Sequence, residues 1–130
     1  LMPATARWVA RKIGYKEYSP ARVTELGTNI TLGTSYLKMV LDDLGHPVLA
    51  TAAYNGGPGR ARRWRDVKPL EGAVFIESIP FNETRDYVKK VMANSMYYAY
   101  LLEGSTPPLK KRIGTIPPKS AQDRFNEDLP

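Results

Sequence analysis

The sequence predicts an all-α domain. Apolar residues recur at helical spacing in several segments, Pro or a small polar residue precedes most of these segments, and Gly follows most of them. Only residues 73–79 could equally be a strand. With 130 residues, the chain is long enough to bury the core of one domain.

The first two helices are predicted from their apolar faces. Residues 3–13 form the first helix, which ends at Gly14, and its inward face comprises Met2, Ala6, Val9, Ala10 and Ile13. Residues 30–44 form the second helix, capped by Thr28 or Asn29, and its inward face comprises Ile30, Gly33, Leu37, Val40, Leu41 and Leu44. Glycine weakens a helix, so we expect Gly33 to mark a close approach by a neighbouring element.

The third helix opens at Pro47 and is apolar on nearly all sides, so we expect it to be central and buried. It leads to Tyr54 and Asn55, and then to residues 56–59, which are all Gly or Pro and cannot continue a helix. A ring and an amide beside a sharp turn suit a carbohydrate, because the ring stacks on a sugar face and the amide bonds its polar groups. The alternative is a simple corner with Tyr54 packed in the core.

A basic segment follows this turn, with Trp64 surrounded by Arg60, Arg62, Arg63 and Arg65. Together with a net charge of +6, it is compatible with an anionic partner such as nucleic acid, acidic lipid or a wall polymer. A nucleic-acid site here would bind DNA with a steep salt dependence. The alternative is a solvated basic face with Trp64 turned inward.

The rest of the chain is predicted to contain two more helices and a tail. A short apolar segment ends at Pro80, and a long helix capped by Asn82 runs to about residue 102 before Gly104. Residues 1–104 therefore form the predicted domain. Residues 105–130 are rich in Pro and are predicted to be an extended or disordered tail that straps across the domain.

Several site chemistries are excluded by composition. The sequence has no Cys, which excludes disulfides, thiolate metal sites and a Cys nucleophile, and its single histidine, His46, cannot form a His-rich metal site. No run of apolar residues is long enough for a transmembrane helix.

Four blocks, taken in order, resemble the catalytic domain of soluble lytic transglycosylases, bacterial enzymes that cleave peptidoglycan. Residues 1–6 resemble the second half of the "GLMQ-MP-TA" motif, and residues 29–37 resemble "N-I-x-x-G-x-x-Y-L". Residues 52–60 are similar to "AAYNAGPGR", with Gly56 where Ala is usual. Residues 75–88 resemble "F-I-E-x-I-P-F-x-E-T-R-x-Y-V". The resemblance extends from Leu1 to about residue 100.

The resemblance implies a lysozyme-like helical fold of the goose-type class, truncated at its N-terminus. It implies cleavage of the β-1,4 bond between N-acetylmuramic acid and N-acetylglucosamine without water, which yields a 1,6-anhydro product. The implied partner is the peptidoglycan glycan strand, with no metal, cofactor, nucleic acid or transmembrane segment. The implied location is the periplasm, within a secreted parent protein that continues N-terminal to Leu1.

The resemblance also implies that this chain carries no catalytic residue. The family's general acid is a Glu in an "E-S-x-F" motif before "GLMQ", so we expect it upstream of Leu1 and expect the chain to be inactive. Glu77 and Glu83 do not follow that motif, and Arg85 and the helix start favour the ionised form of Glu83, which does not suit an acid. In the family, that Glu lies on a helix, and loss of this upstream helix is also expected to expose apolar surface and to favour weak stability or self-association.

The substrate-binding residues implied by the resemblance are Met2, Thr5, Tyr54, Asn55 and Glu83. Core packing is the alternative for Met2, and a helix-start ion pair is the alternative for Glu83. Two other functions remain open beside the nucleic-acid site: a non-catalytic peptidoglycan-binding module, and a hydrolytic lysozyme, which would leave a reducing end instead of an anhydro end.

Overall fold

The protein is mainly helical in the computed structural model, which describes residues 1–119 and 129–130. This confirms the predicted all-α class. In the described residues, the helices are α1 (Pro3–Ile13), α2 (Leu26–Leu44), α3 (Pro47–Gly56), α4 (Pro58–Arg63), α5 (Gly72–Ser78), α6 (Asn82–Glu103) and α7 (Leu109–Ile113). Two short strands, β1 (Leu70–Glu71) and β2 (Thr115–Ile116), pair antiparallel, and Pro20–Arg22 forms a single 3-10 turn. None of the described helices is long and apolar enough to cross a membrane.

Helix α3 lies at the centre of the molecule, as predicted. It packs against α2, α4 and α6, and seven of its ten residues are buried: Val48, Leu49, Ala50, Thr51, Ala52, Ala53 and Gly56. The small side chains let neighbouring helices approach closely, while Val48 and Leu49 each contribute about 1.5–3 kcal/mol through burial. In its last turn, Tyr54 is half-buried and Asn55 is exposed.

The inward face of α2 differs from the predicted one. The buried residues are Thr28, Leu32, Tyr36, Val40 and Leu44. The predicted core positions Ile30, Leu37 and Leu41 are exposed instead. Both sets of residues recur at helical spacing, so the sequence pattern alone does not distinguish them, and packing against α1 and α3 selects the line through Tyr36. The exposed apolar face of α2 leaves the expectation of self-association as a prediction.

Two helix starts also differ from prediction. Helix α2 begins at Leu26, before Thr28 and Asn29, and the buried Thr28 is hydrogen-bonded to the Tyr15 hydroxyl at 3.3 Å. Helix α6 has Phe81 at its N-cap position, and Asn82 is its first helical residue. The Asn82 side chain accepts a hydrogen bond from the Arg85 side chain. It therefore does not cap the backbone N–H groups of the helix.

The basic segment after the turn is largely structural. Arg62 and Arg65 are buried, and Arg62 forms an ion pair with Asp43 of α2. The Trp64 ring packs against the core and meets the edge of Phe81 with centroids 5.4 Å apart. Only Arg60 and Arg63 of the four arginines are exposed, so the segment does not present a continuous basic face.

Part of the predicted tail packs on the domain. Helix α7 and strand β2 lie against α5 and β1, and Ile113 and Ile116 are buried there. The backbone N–H of Gly72 donates to the carbonyl of Gly114 at 2.7 Å. The sequence pattern did not predict these two short elements, and the part of the tail prediction that concerns residues 120–128 lies outside the described residues.

Gly72→Ala is expected to loosen this attachment. A Cβ at Gly72 would lie 2.5 Å from the backbone carbonyl oxygen of Ile113, an atom that cannot move without shifting α7. We expect a loss of about 1–3 kcal/mol in the free energy of unfolding, measured by urea denaturation. Gly27→Ala is the matched control, because a Cβ there meets nothing within 4 Å. Equal stability of the two variants would contradict the close contact.

His46 provides the N-cap of α3. Its Nδ1 accepts a hydrogen bond from the Val48 N–H at 3.1 Å, which requires a neutral imidazole. Partial burial lowers the pKa of His46 from its ordinary value of 6.5, in the direction that keeps the cap neutral. The N-cap of the central helix is therefore the sole histidine of the sequence.

Folding stability is expected to fall as the pH drops from about 7.5 to about 5.5. Because the pKa of His46 is lowered on folding, the cap's contribution is complete above the unfolded pKa and is lost as the pH falls through the folded one. His46→Asn keeps a capping acceptor that does not titrate, so its melting temperature should change less over this range. Thermal melts of both proteins test this, and parallel pH profiles would refute it.

Candidate functional site

Two concave regions meet at Tyr54 and Tyr87. The larger, the main cleft, has a volume of about 500 Å³ and is lined by Leu1, Met2, Thr5, Tyr36, Ala53, Tyr54, Asn55, Gly56, Gly57, Arg60, Tyr87 and Pro130. The smaller, the side pocket, has a volume of about 290 Å³ and is lined by Asn29, Ile30, Gly33, Thr34, Leu37, Tyr54 and Tyr87. The end of α3 therefore contributes to both regions.

Four of the five residues predicted to bind substrate line the main cleft. Met2 and Thr5 come from the start of α1, and Tyr54 and Asn55 come from the last turn of α3. Met2 is 73% exposed, which contradicts the alternative that it packs in the core. The packing of α1 and α3 against α2 brings together residues about fifty positions apart.

Glu83 lies elsewhere. It is exposed in the first turn of α6 and does not line either concave region. The alternative ion pair with Arg85 is not observed in the described residues, because Arg85 donates to the Ile79 carbonyl and to Asn82. Glu77 pairs with Lys89 at 2.7 Å on the surface. Neither carboxylate is positioned as a general acid at the main cleft.

The turn after α3 depends on Gly57. Its backbone has φ +94°, which L side chains rarely adopt, and Pro58 follows as the first residue of α4. The chain therefore changes direction directly after Tyr54 and Asn55, and both side chains remain accessible at the end of a buried helix.

Tyr54 packs against α2. Its ring contacts the Tyr36 ring with centroids 5.7 Å apart, and a Cβ at Gly33 would lie 3.0 Å from its hydroxyl oxygen. The close approach predicted at Gly33 is thus confirmed, and the approaching group is Tyr54. The Tyr36 hydroxyl donates to the backbone carbonyl of Pro130 at 2.6 Å.

The three tyrosine hydroxyls of the main cleft are uncharged at neutral pH. Burial raises the pKa of Tyr36 to about 12, with the neighbouring Tyr54 adding to the rise. Burial also raises the pKa of Tyr54 and of Tyr87. These groups can donate and accept hydrogen bonds, but they do not act as bases. Among the described residues that line the main cleft, none is an aspartate or a glutamate.

Asn55 is oriented by a buried threonine. The Thr84 hydroxyl, in a residue only 2% exposed, donates to the Asn55 side-chain carbonyl at 2.8 Å. The Asn55 amide nitrogen is left to serve as the donor towards the cleft. The sequence interpretation missed Tyr36, Arg60, Thr84 and Tyr87 as site residues, although all four belong to the blocks on which the resemblance rests.

Comparisons with known proteins identify similar proteins along most of the chain. Residues 1–71 match the family profile of the transglycosylase SLT domain, and residues 78–107 match that of the soluble lytic transglycosylase helical domain. The soluble lytic murein transglycosylase of Escherichia coli K12 is 42% identical over 113 residues, which are 84% of this chain and 17% of that protein. The chain therefore spans less than a fifth of this relative's length.

Solved structures share the fold. A lytic transglycosylase Slt from Pseudomonas aeruginosa, solved as an inactive mutant, superposes with a TM-score of 0.77 at 43% identity, over 82% of this chain and 18% of that one. The 70-kDa soluble lytic transglycosylase, solved in complex with bulgecin A, superposes with a TM-score of 0.74 at 39% identity, over 84% of this chain and 18% of that one.

Gly33→Ala is expected to displace the Tyr54 side chain more than it weakens the fold. The new Cβ would push the Tyr54 hydroxyl away, whereas the helix itself gains about 1 kcal/mol of intrinsic propensity. We expect a melting temperature close to that of the wild type and shifted NMR signals from the Tyr54 ring. Gly27→Ala in the same helix is the control, because a Cβ there meets nothing within 4 Å. Unshifted Tyr54 ring signals in Gly33→Ala would contradict the close approach of these two residues.

Proposed function

The chain belongs to the transglycosylase SLT family, and we propose that it forms the glycan-binding part of a peptidoglycan lytic transglycosylase domain. The proposed reaction cleaves the β-1,4 bond between N-acetylmuramic acid and N-acetylglucosamine and leaves a 1,6-anhydro product. The observation that carries this proposal is the meeting of Met2, Thr5, Tyr54 and Asn55 on one cleft. The proposed place of action is the periplasm, on the glycan strands of the cell wall.

The main cleft is chemically suited to a sugar chain. Aromatic side chains offer flat apolar surfaces for sugar faces, and neutral hydroxyls and the Asn55 amide offer hydrogen bonds. We assign Tyr54 to the N-acetyl group near the scissile bond and Asn55 to the wall of the cleft. Met2 would contact the sugar rings and Thr5 would bond a hydroxyl. Glu83 would reach the muramic acid unit only where the strand extends beyond the main cleft towards α6.

The general acid is proposed to be a glutamate in a segment N-terminal to Leu1. The absence of an aspartate or glutamate side chain among the described residues of the main cleft supports this assignment. In the proposed step, this glutamate protonates the glycosidic oxygen as the bond from C1 to that oxygen breaks. The carboxylate then takes the proton of the sugar's own 6-hydroxyl, whose oxygen bonds to C1. The glutamate recovers its proton, and no water, metal or cofactor takes part.

A non-catalytic peptidoglycan-binding module is the second candidate. The lack of an aspartate or glutamate among the described residues of the main cleft also favours it, because such a cleft can hold a glycan strand and not cleave it. This candidate differs from the first in one respect: even a longer form of the chain would release no anhydro products.

Digestion of purified peptidoglycan, with products identified by mass spectrometry, tests the proposal. We expect no products from the chain itself and 1,6-anhydromuropeptides from a longer chain that also carries the upstream glutamate. Tyr54→Phe in the longer chain should slow release about tenfold, if the Tyr54 hydroxyl supplies one hydrogen bond in the transition state.

Other products would indicate a different function. Anhydro products from the chain itself would show that it contains its own acid, and reducing ends would identify a hydrolase. Binding without products from either chain would favour the non-catalytic module.

A further inference from the structure

Arg60 stands at the edge of the main cleft with its charge unneutralised by the described residues. It is exposed, its guanidinium lies 4.9 Å from the centroid of the Phe81 ring, and Nη1 donates to the Gly56 carbonyl over a long 3.4 Å. In the part of the chain that the structure describes, no carboxylate pairs with it. The ring contact restricts the side chain beside the cleft, and most of its five N–H donors remain available.

Asn55 adds a second donor to the same edge. Its side-chain carbonyl is already engaged by the Thr84 hydroxyl at 2.8 Å, so its amide N–H groups are what it can offer to a ligand. Thr84 is buried and lies in the first turn of α6, a rigid support for this orientation. Arg60 and Asn55 both line the main cleft, and both have N–H donors available to a ligand there.

We propose that Arg60 and Asn55 form a carboxylate-binding site at the edge of the main cleft. The inference rests on the proposed function, because the carboxylate is one carried by a peptidoglycan strand. A planar guanidinium matches the two oxygens of a carboxylate, and an amide N–H adds a bond from the side. Two sources exist on such a strand: the lactyl group of muramic acid once its peptide is removed, and the stem peptide where it is present.

Thr84 is the positioning residue of this site. It reaches the ligand only through Asn55, whose amide it turns towards the cleft. Without the Thr84 hydroxyl, Asn55 is free to rotate and present its carbonyl oxygen, an acceptor that repels a carboxylate. The buried Thr84 hydroxyl, which lies outside the cleft, therefore makes the site selective for negatively charged ligands.

The test compares the affinities of the chain for three glycans by calorimetry at low, fixed ionic strength. Chitohexaose has no carboxylate, amidase-treated murein strands carry free lactyl carboxylates, and untreated murein strands carry stem peptides. We expect one of the two murein ligands to bind about three- to tenfold more tightly than chitohexaose, and the tighter one identifies the source.

Arg60→Gln should weaken the binding of the preferred murein strand more than that of chitohexaose, and should thereby remove this preference. Arg63→Gln is the matched control, since Arg63 is exposed on the same short helix but does not line the cleft. Thr84→Val should also reduce the preference, and Thr84→Ser should restore it, because serine keeps the hydroxyl. Thermal melts of each variant identify any that fail to fold.

Chitohexaose binding without a preference for murein strands would overturn the carboxylate site alone. So would an equal loss of the preference in Arg63→Gln, which would show a diffuse charge effect. A failure to bind any of the three glycans would overturn the proposed function, and this inference with it.

Discussion

Helix α3 has almost no polar face, so the other helices must enclose it. Val48, Leu49 and the alanines that follow are removed from water by α2, α4 and α6, and this burial supplies much of the driving force for folding. The same constraint decides where the site lies. A buried helix that stops at Gly57 brings its final side chains, Tyr54 and Asn55, out of the core at a defined point.

The site is consequently an extension of the core packing. Gly33 leaves room for the Tyr54 hydroxyl, Tyr36 supports the Tyr54 ring, and the buried Thr84 orients Asn55. Such side chains lose little freedom when a ligand arrives, because packing has already ordered them. Substitutions at these supporting positions are therefore expected to affect the proposed binding without removing a group that contacts the ligand.

The main cleft combines neutral hydroxyls with donors. Burial keeps Tyr36, Tyr54 and Tyr87 protonated, and Arg60 and Asn55 add N–H groups along one edge. This set of groups suits an acceptor-rich polymer, such as the glycan that we propose as the ligand. In the proposed reaction, a carboxylic acid transfers a proton to the glycosidic oxygen. Binding and cleavage are therefore proposed to reside in different segments.

The sequence by itself determined the helical class, the central position of α3 and a turn within residues 56–59, which the structure places at Gly57. These features depend on local chemistry, namely apolar composition and the exclusion of Gly and Pro from helix interiors. The four residues of the cleft were expected from the family resemblance, which rests on motifs in a fixed order. Only the tertiary structure decided which face of α2 is buried, because two apolar lines share the same spacing. It also decided that Thr84 meets Asn55, that Glu83 lies off the cleft, and that α7 packs on Gly72. Each of these depends on contacts between residues distant in sequence, which no local pattern encodes.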